Sequence, residues 1–265
     1  MLSYEALLKE AAQREMPATK LRGILREYLQ ILILKIIYQN PAGKGLYLTG
    51  GTYLRLVHNL RRFSEDLLFY SDKISKSEFK DLLKTVKTGL KRSGIEAKLT
   101  VECRPKTSQA KLVFPKIEKD YQAISSASRK QGIAITVEVT RPKWTVKTET
   151  EVIAGFGELF PCICVHKGIH FAGKIAALNE HPQARHIYDI IFMLLRRFPV
   201  NSQVLKAYKL KKNAPKLIVD CINQMTKSEL KKQALALQTF LFEEHEADLI
   251  INAKEIVPRL AENLK

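Results

Sequence analysis

The sequence predicts an α+β protein with a mixed sheet in its middle and helices at both ends. Three observations carry that prediction. Apolar residues recur at helical spacing before residue 40 and again after Lys167, and strand-like alternation is confined to the stretch between them. The 265 residues are 46% hydrophobic, enough for one large domain or two modest ones. The segment from Leu46 to Ser71, LYLTGGTYLRLVHNLRRFSEDLLFYS, reads as strand, Gly-Gly-Thr turn, short helix, Arg-rich loop and second strand.

Residues 2–39 read as helical with a break at Pro17. Leu7, Leu8 and Ala11 mark one apolar face, and Leu21, Ile24, Leu25, Tyr28, Leu29, Leu32 and Ile33 mark another. Asn40-Pro41-Ala42-Gly43 ends the pattern. Strands are expected at 46–49, 66–70, 96–103, 109–114 and 133–140, with a hairpin around Pro105–Ser108. A helix from Ser77 to Arg92 is expected to be capped by Ser75 or Ser77. From about Lys167 the candidates are all helical: HFAGKIAAL, ARHIYDIIFMLLRRF, KLIVDCINQM, ELKKQALALQTFLF and AKEIVPRLAENL. The expected division is a first domain over 1–165 and an α-helical C-terminal domain over 166–265.

Lys and Arg number 44 against 27 Asp and Glu, a net charge of +17, which points to a polyanionic partner, most simply nucleic acid. From Arg196 to Lys216 there are seven Lys or Arg and no acid. Arg196, Arg197, Lys209, Lys211 and Lys212 are the candidate RNA contacts, with Tyr208 interleaved. A solvated helix face would have the same composition. The N-terminus has no basic region followed by an apolar run, and the apolar stretch from Tyr28 to Tyr38 is too short to span a bilayer and contains Lys35. Cysteines 103, 162, 164 and 221 form no paired metal-binding pattern and read as reduced thiols. A cytoplasmic protein without a membrane partner is expected.

A glycine pair followed by a hydroxyl residue at a helix start lets backbone N–H groups hold a phosphate, and a carboxylate on the next strand can place a metal against it. Gly50, Gly51 and Thr52 supply the first feature and Asp66 the second. On strand 133–140, Glu138 is the lone carboxylate opposite an apolar face. It reads either as an outward strand residue or, if the strands are neighbours, as a partner to Asp66. Lys174 lies on an otherwise apolar helix and Asp189 on another. Asp189 could orient Lys174 or pair with Arg185 one turn before it. Arg61 and Arg62 precede the Asp66 strand and could clamp a triphosphate.

Together GGT, RFSEDLLF, GKIAAL and ARHIYDIIFMLL resemble the AbiEii-type nucleotidyltransferase family, which includes toxins of type IV toxin–antitoxin systems, over roughly residues 44–197. The resemblance implies a DNA polymerase β-like nucleotidyltransferase core. It implies transfer of a nucleoside monophosphate from an NTP to RNA, with a tRNA acceptor end as target, using one or two Mg²⁺ ions, and a cognate antitoxin. It assigns Gly50, Gly51, Thr52 and Ser64 to the nucleotide, where the charge of Arg62 adds a candidate contact, Asp66 and Glu138 to metal, and Asp66, Lys174 and Asp189 to catalysis. The family pattern Ser-Glu-Asp-Leu-Asp-Phe stands here as Ser64-Glu65-Asp66-Leu67-Leu68-Phe69, with a leucine where the second aspartate belongs. A leucine ligates no metal, so the alternative is a catalytically degenerate member that binds nucleotide or RNA without turnover.

Overall fold

The computed structural model describes residues 1–121 and 132–264. The chain forms two compact units. The first comprises residues 1–59, 63–142 and 148–164. The second comprises residues 60–62, 143–147 and the chain from Val165 onward. Two short stretches from the first part of the sequence therefore belong with the helical part.

The first unit opens with helix α1 (Tyr4–Gln13), whose N-cap Ser3 accepts from the Ala6 N–H. After the break at Pro17 comes α2 (Leu21–Gln39), whose residues Ile24, Leu25, Leu29, Ile33 and Ile37 are fully buried. Glu27 is buried with them because two arginines hold it. Arg14 Nη2 lies 2.9 Å from Oε1 and Arg55 Nε lies 2.9 Å from Oε2. This pins together α1, α2 and α3 (Gly50–His58).

The remaining elements follow as β1 (Tyr47–Thr49), α3, β2 (Leu67–Tyr70), α4 (Lys76–Arg92), β3 (Lys98–Cys103), β4 (Thr107–Phe114), α5 (Ile117–Asp120), β5 (Ile133–Thr140), β6 (Thr148–Gly155) and β7 (Glu158–Val165). Ser75 caps α4 in a full capping box with Glu78. The sheet order is β3-β4-β5-β2-β1-β7-β6. It is mixed: β2 runs parallel to β5 and antiparallel to β1, and β1 runs parallel to β7. The five expected strands are present and the hairpin joins β3 to β4.

Strands β6 and β7 extend the sheet beyond the sequence expectation, for two physical reasons. Strand β6, TETEVIAG, is an edge strand whose polar residues give little alternation, and β7 carries Pro161, which ordinarily argues against a strand.

The second unit consists of α6 (Lys167–Glu180), α7 (Ala184–Leu195), α8 (Ser202–Ala207), α9 (Ala214–Asn223), α10 (Lys227–Leu237), α11 (Asp248–Ile251) and α12 (Ala253–Ala261). Ile169, Phe171, Ile175, Ile187, Ile190, Ile218 and Val257 form its core. Arg61 and Arg62 join it as an added extended segment. The Phe242 N–H donates to the Arg61 carbonyl at 2.9 Å, and Arg62 pairs with Leu241 as a β-bridge. Among the described residues, no helix is long and apolar enough to cross a membrane.

Candidate active site

In the first unit, the Gly-Gly-Thr turn is the junction between β1 and α3. Gly50 has φ +80°, a left-handed conformation that favours glycine, and a Cβ built on it would lie 3.0 Å from Leu68 Cδ1. Thr49 at the N-cap makes no side-chain capping bond, so no side-chain cap from this residue covers the first N–H groups of α3. The Thr52 hydroxyl donates to the Asp66 carbonyl at 2.6 Å. Its place is therefore to tie the first turn of α3 to the residue just before β2.

Asp66 immediately precedes β2, and Leu68 two residues on is flanked in register by Thr49 on β1 and Glu138 on β5. The missing second aspartate would thus have stood directly beside Glu138. Instead the Leu68 side chain covers Gly50. Burial pushes the Glu138 carboxyl above the usual range, and the negative charge of Asp66 adds to that push. Its hydrogen-bond contacts from Gln109 Nε2 and Thr140 Oγ1 are both long at 3.4 Å. A carboxylate whose ionisation is opposed by burial and by a neighbouring carboxylate, and which is only weakly hydrogen-bonded, belongs to a donor set that a divalent cation fits. Among the described residues, no group of three or more His, Cys, Asp or Glu forms a metal cluster.

Sequence reasoning missed what holds this segment in place. Gln30 Nε2 donates to the Ser64 carbonyl at 3.0 Å, and Arg26 Nη2 lies 3.5 Å from Glu65 Oε1. Both come from α2. The available signal was a pair of polar residues, Arg26 and Gln30, four apart on a largely apolar helix.

In the second unit, Asp189 on α7 is 0% exposed and sits between two cations. Arg62 reaches Oδ1 through Nε at 2.7 Å and Oδ2 through Nη2 at 2.8 Å, and Lys174 Nζ on α6 reaches Oδ2 at 2.6 Å. The ion partner across the helix turn, Arg185, is not the one used; Arg62, 127 residues away in sequence, is. Burial opposes the charge on Asp189, but Arg62 and Lys174 overcome it and hold the carboxyl well below the usual range. Burial pulls the Lys174 ammonium down against the opposing pull of Asp189. Nearby, burial and then Lys174 push the His186 imidazole down to about 3, leaving it neutral.

Arg196 and Arg197 stand exposed where α7 ends, with the Arg196 guanidinium 5.5 Å from the Phe192 ring centroid. Lys206, Lys209, Lys211 and Lys212 border one cavity of about 890 Å³ with an apolar wall that includes Leu205, Leu210 and Pro215. Lys212 is tied to Asp220 at 2.5 Å. Tyr208 packs against Trp144, ring centroids 4.9 Å apart. The basic run is therefore a lysine-edged hollow with aromatic rings on the same unit.

The profile of the nucleotidyl transferase AbiEii toxins of type IV toxin–antitoxin systems matches residues 32–257. Solved structures with a similar fold include the nucleotidyltransferase toxin MenT4 from Mycobacterium tuberculosis. It is 15% identical with TM-score 0.59, over 100% of this chain and 91% of that one. Another is JHP933 from Helicobacter pylori, 18% identical with TM-score 0.54, over 93% of this chain and 95% of that one. No curated protein matches the sequence significantly.

Proposed function

The chain belongs to the AbiEii nucleotidyl transferase toxin family, and from that premise we propose that it transfers a nucleoside monophosphate from an NTP to RNA, with the tRNA acceptor end as the target. The observation that carries the reading is the arrangement in the first unit. The Gly50 turn, Asp66 and Glu138 sit on three successive elements of the sheet region, and Thr52 bonds the turn to Asp66.

Asp66 and Glu138 would hold a Mg²⁺ ion, which supplies charge neutralisation of the triphosphate and of the oxygen leaving with pyrophosphate. The N–H groups that open α3 at Gly50, Gly51 and Thr52 would cradle phosphate oxygens. Ser64, whose carbonyl accepts from Gln30 Nε2, is the family's further hydroxyl for the phosphates. Lys174 and Asp189 enter the reading as the family's basic and acidic residues, with Arg62 as the neighbour that fixes Asp189. A cognate antitoxin is the expected protein partner.

The test is incorporation of each radiolabelled NTP into total tRNA with Mg²⁺. Wild-type signal that disappears in Asp66→Ala supports the assignment; robust transfer that survives Asp66→Ala sinks it.

One observation favours a second reading. With Leu68 lying over Gly50 beside Glu138, the chain offers two carboxylates where the family pattern offers a further one. A member that binds NTP and RNA without turnover would show NTP binding and no incorporation.

The RNA surface in this reading is the lysine-edged hollow. Replacing Lys209, Lys211 and Lys212 together with Ala should weaken tRNA binding without sequence preference. It should also flatten the dependence of log K on log salt by roughly two, since each phosphate contact adds about 0.7–0.9 to the slope. Filter binding at several salt concentrations measures it. An unchanged slope removes this hollow from the RNA path.

A further inference from the structure

Helix α2 carries Arg22, Arg26 and Gln30 at i, i+4 and i+8, so all three lie along one stripe of the helix. Two of them have close partners. Gln30 holds the Ser64 carbonyl at 3.0 Å, and Arg22 bonds Glu118 at 2.5 Å and the Gly132 carbonyl at 3.0 Å. Arg14 and Arg55 are likewise satisfied, each within 2.9 Å of Glu27.

Arg26 is different. Its side chain is only 11% exposed, and its one ion partner among the described residues is Glu65 at 3.5 Å. Its Nε is buried with no hydrogen-bond partner. Native structures rarely leave a buried guanidinium this poorly satisfied. Glu65 is a loose partner too, with its side chain 45% exposed. Glu65 is the residue immediately before Asp66, so this contact sets the guanidinium against the segment that carries the proposed metal ligand.

We propose that Arg26 is a phosphate-binding residue of the Asp66 site, held in reserve by Glu65. A phosphoryl oxygen of the bound nucleotide takes the place of the Glu65 carboxylate, which swings out to solvent. The guanidinium fork suits this exchange because carboxylate and phosphate present similar paired oxygens to it. The phosphate carries more charge and more acceptor atoms, so it can satisfy the donors that Glu65 leaves unmet. This rests on the nucleotide-binding reading above and adds to it a residue from outside the family motifs on which that reading stands.

The experiment is equilibrium dialysis of Mg²⁺-NTP against the full chain for wild type, Arg26→Gln and Glu65→Gln, with thermal melts as a folding control. Arg26→Gln should weaken NTP binding about tenfold, the size expected for losing one charge-assisted contact. Glu65→Gln should bind a few-fold more tightly, because the competing carboxylate is gone. If Arg26 served only to anchor Glu65 and its loop, Glu65→Gln would weaken binding as Arg26→Gln does, and that result overturns the proposal. So does unchanged binding in Arg26→Gln. Glu65→Gln decides the matter even if Arg26→Gln fails to fold.

A parallel filter-binding arm with tRNA should show no change in Arg26→Gln. Loss of tRNA binding with NTP binding intact would assign the guanidinium to an RNA phosphate and overturn the nucleotide assignment. Wild-type protein that binds no NTP at all overturns the nucleotide-binding reading itself, and this proposal with it. Normal wild-type binding with an indifferent Arg26→Gln overturns this proposal alone.

Discussion

Asp189→Asn is expected to lower the melting temperature by roughly 6–20 °C. The estimate combines about 3–5 kcal/mol for breaking a buried ion pair with about 2–4 °C per kcal/mol for a protein of this size. Asn keeps the shape of the side chain but not its charge, so Arg62 and Lys174 lose the anion that each touches at 2.8 Å or less. Lys174 can shed its proton and soften the loss; Arg62 cannot.

The pH dependence has a fixed sign. The folded-state carboxyl of Asp189 is held below its unfolded value, so its contribution is present above about pH 4, the ordinary Asp value. It is lost as pH falls below that, through the folded value. Wild-type protein should therefore lose stability on acidification more steeply than Asp189→Asn. Thermal melts by circular dichroism between pH 3 and 7 measure both effects. A melting temperature within a degree or two of wild type would mean that the triad is not sealed from solvent. Replacing all three residues by apolar ones of similar size should recover much of the stability, since the loss comes from stranded charge.

The parts of the site that follow the strand period were legible in the sequence. Alternation alone put Asp66 and Leu68 on one face and picked out Glu138, and the structure makes their strands neighbours. The register that sets Leu68 directly beside Glu138 was not legible, because pairing order is a property of the whole sheet and β5 lies far along the chain from β2. Arg62 illustrates the other limit. An arginine in a loop beside another arginine reads as a clamp for a triphosphate, and its burial against Asp189, with a bridge to Leu241, is announced by no local pattern. Thr52 and Arg26 were hidden for a similar reason. A hydroxyl can serve a ligand or a backbone carbonyl with the same chemistry, and one of several charged residues on a helix, as Arg26 is beside Arg22, Glu27 and Lys35, has no distinct meaning until its neighbours are known.

Leu68→Asp should raise nucleotide incorporation into tRNA by about a hundredfold or more over wild type. The estimate is on the order of 3 kcal/mol of barrier for one restored charge-stabilising contact at a reacting phosphoryl group. Register supports the placement: an aspartate at 68 would share a strand face with Asp66 and stand opposite Glu138 on the parallel neighbour, making three carboxylates. It would also open the space over Gly50, where a built Cβ would now meet Leu68 Cδ1 at 3.0 Å.

A cost accompanies the gain and gives an independent readout. Glu138 is already pushed toward its protonated form by burial and by Asp66, and a third carboxylate would push it further. Without a divalent cation, Leu68→Asp should therefore melt below wild type, and added Mg²⁺ should raise its melting temperature more than it raises that of wild type. The transfer assay is run for wild type, Leu68→Asp and Leu68→Asp with Asp66→Ala, the last expected to fall back to the background. A Mg²⁺-dependent rise in melting temperature without any gain in transfer would show that the metal site can be rebuilt while the chemistry cannot. That outcome would favour the binding-only reading of this chain. Neither a rise in melting temperature nor a gain in transfer would mean that position 68 does not face the nucleotide.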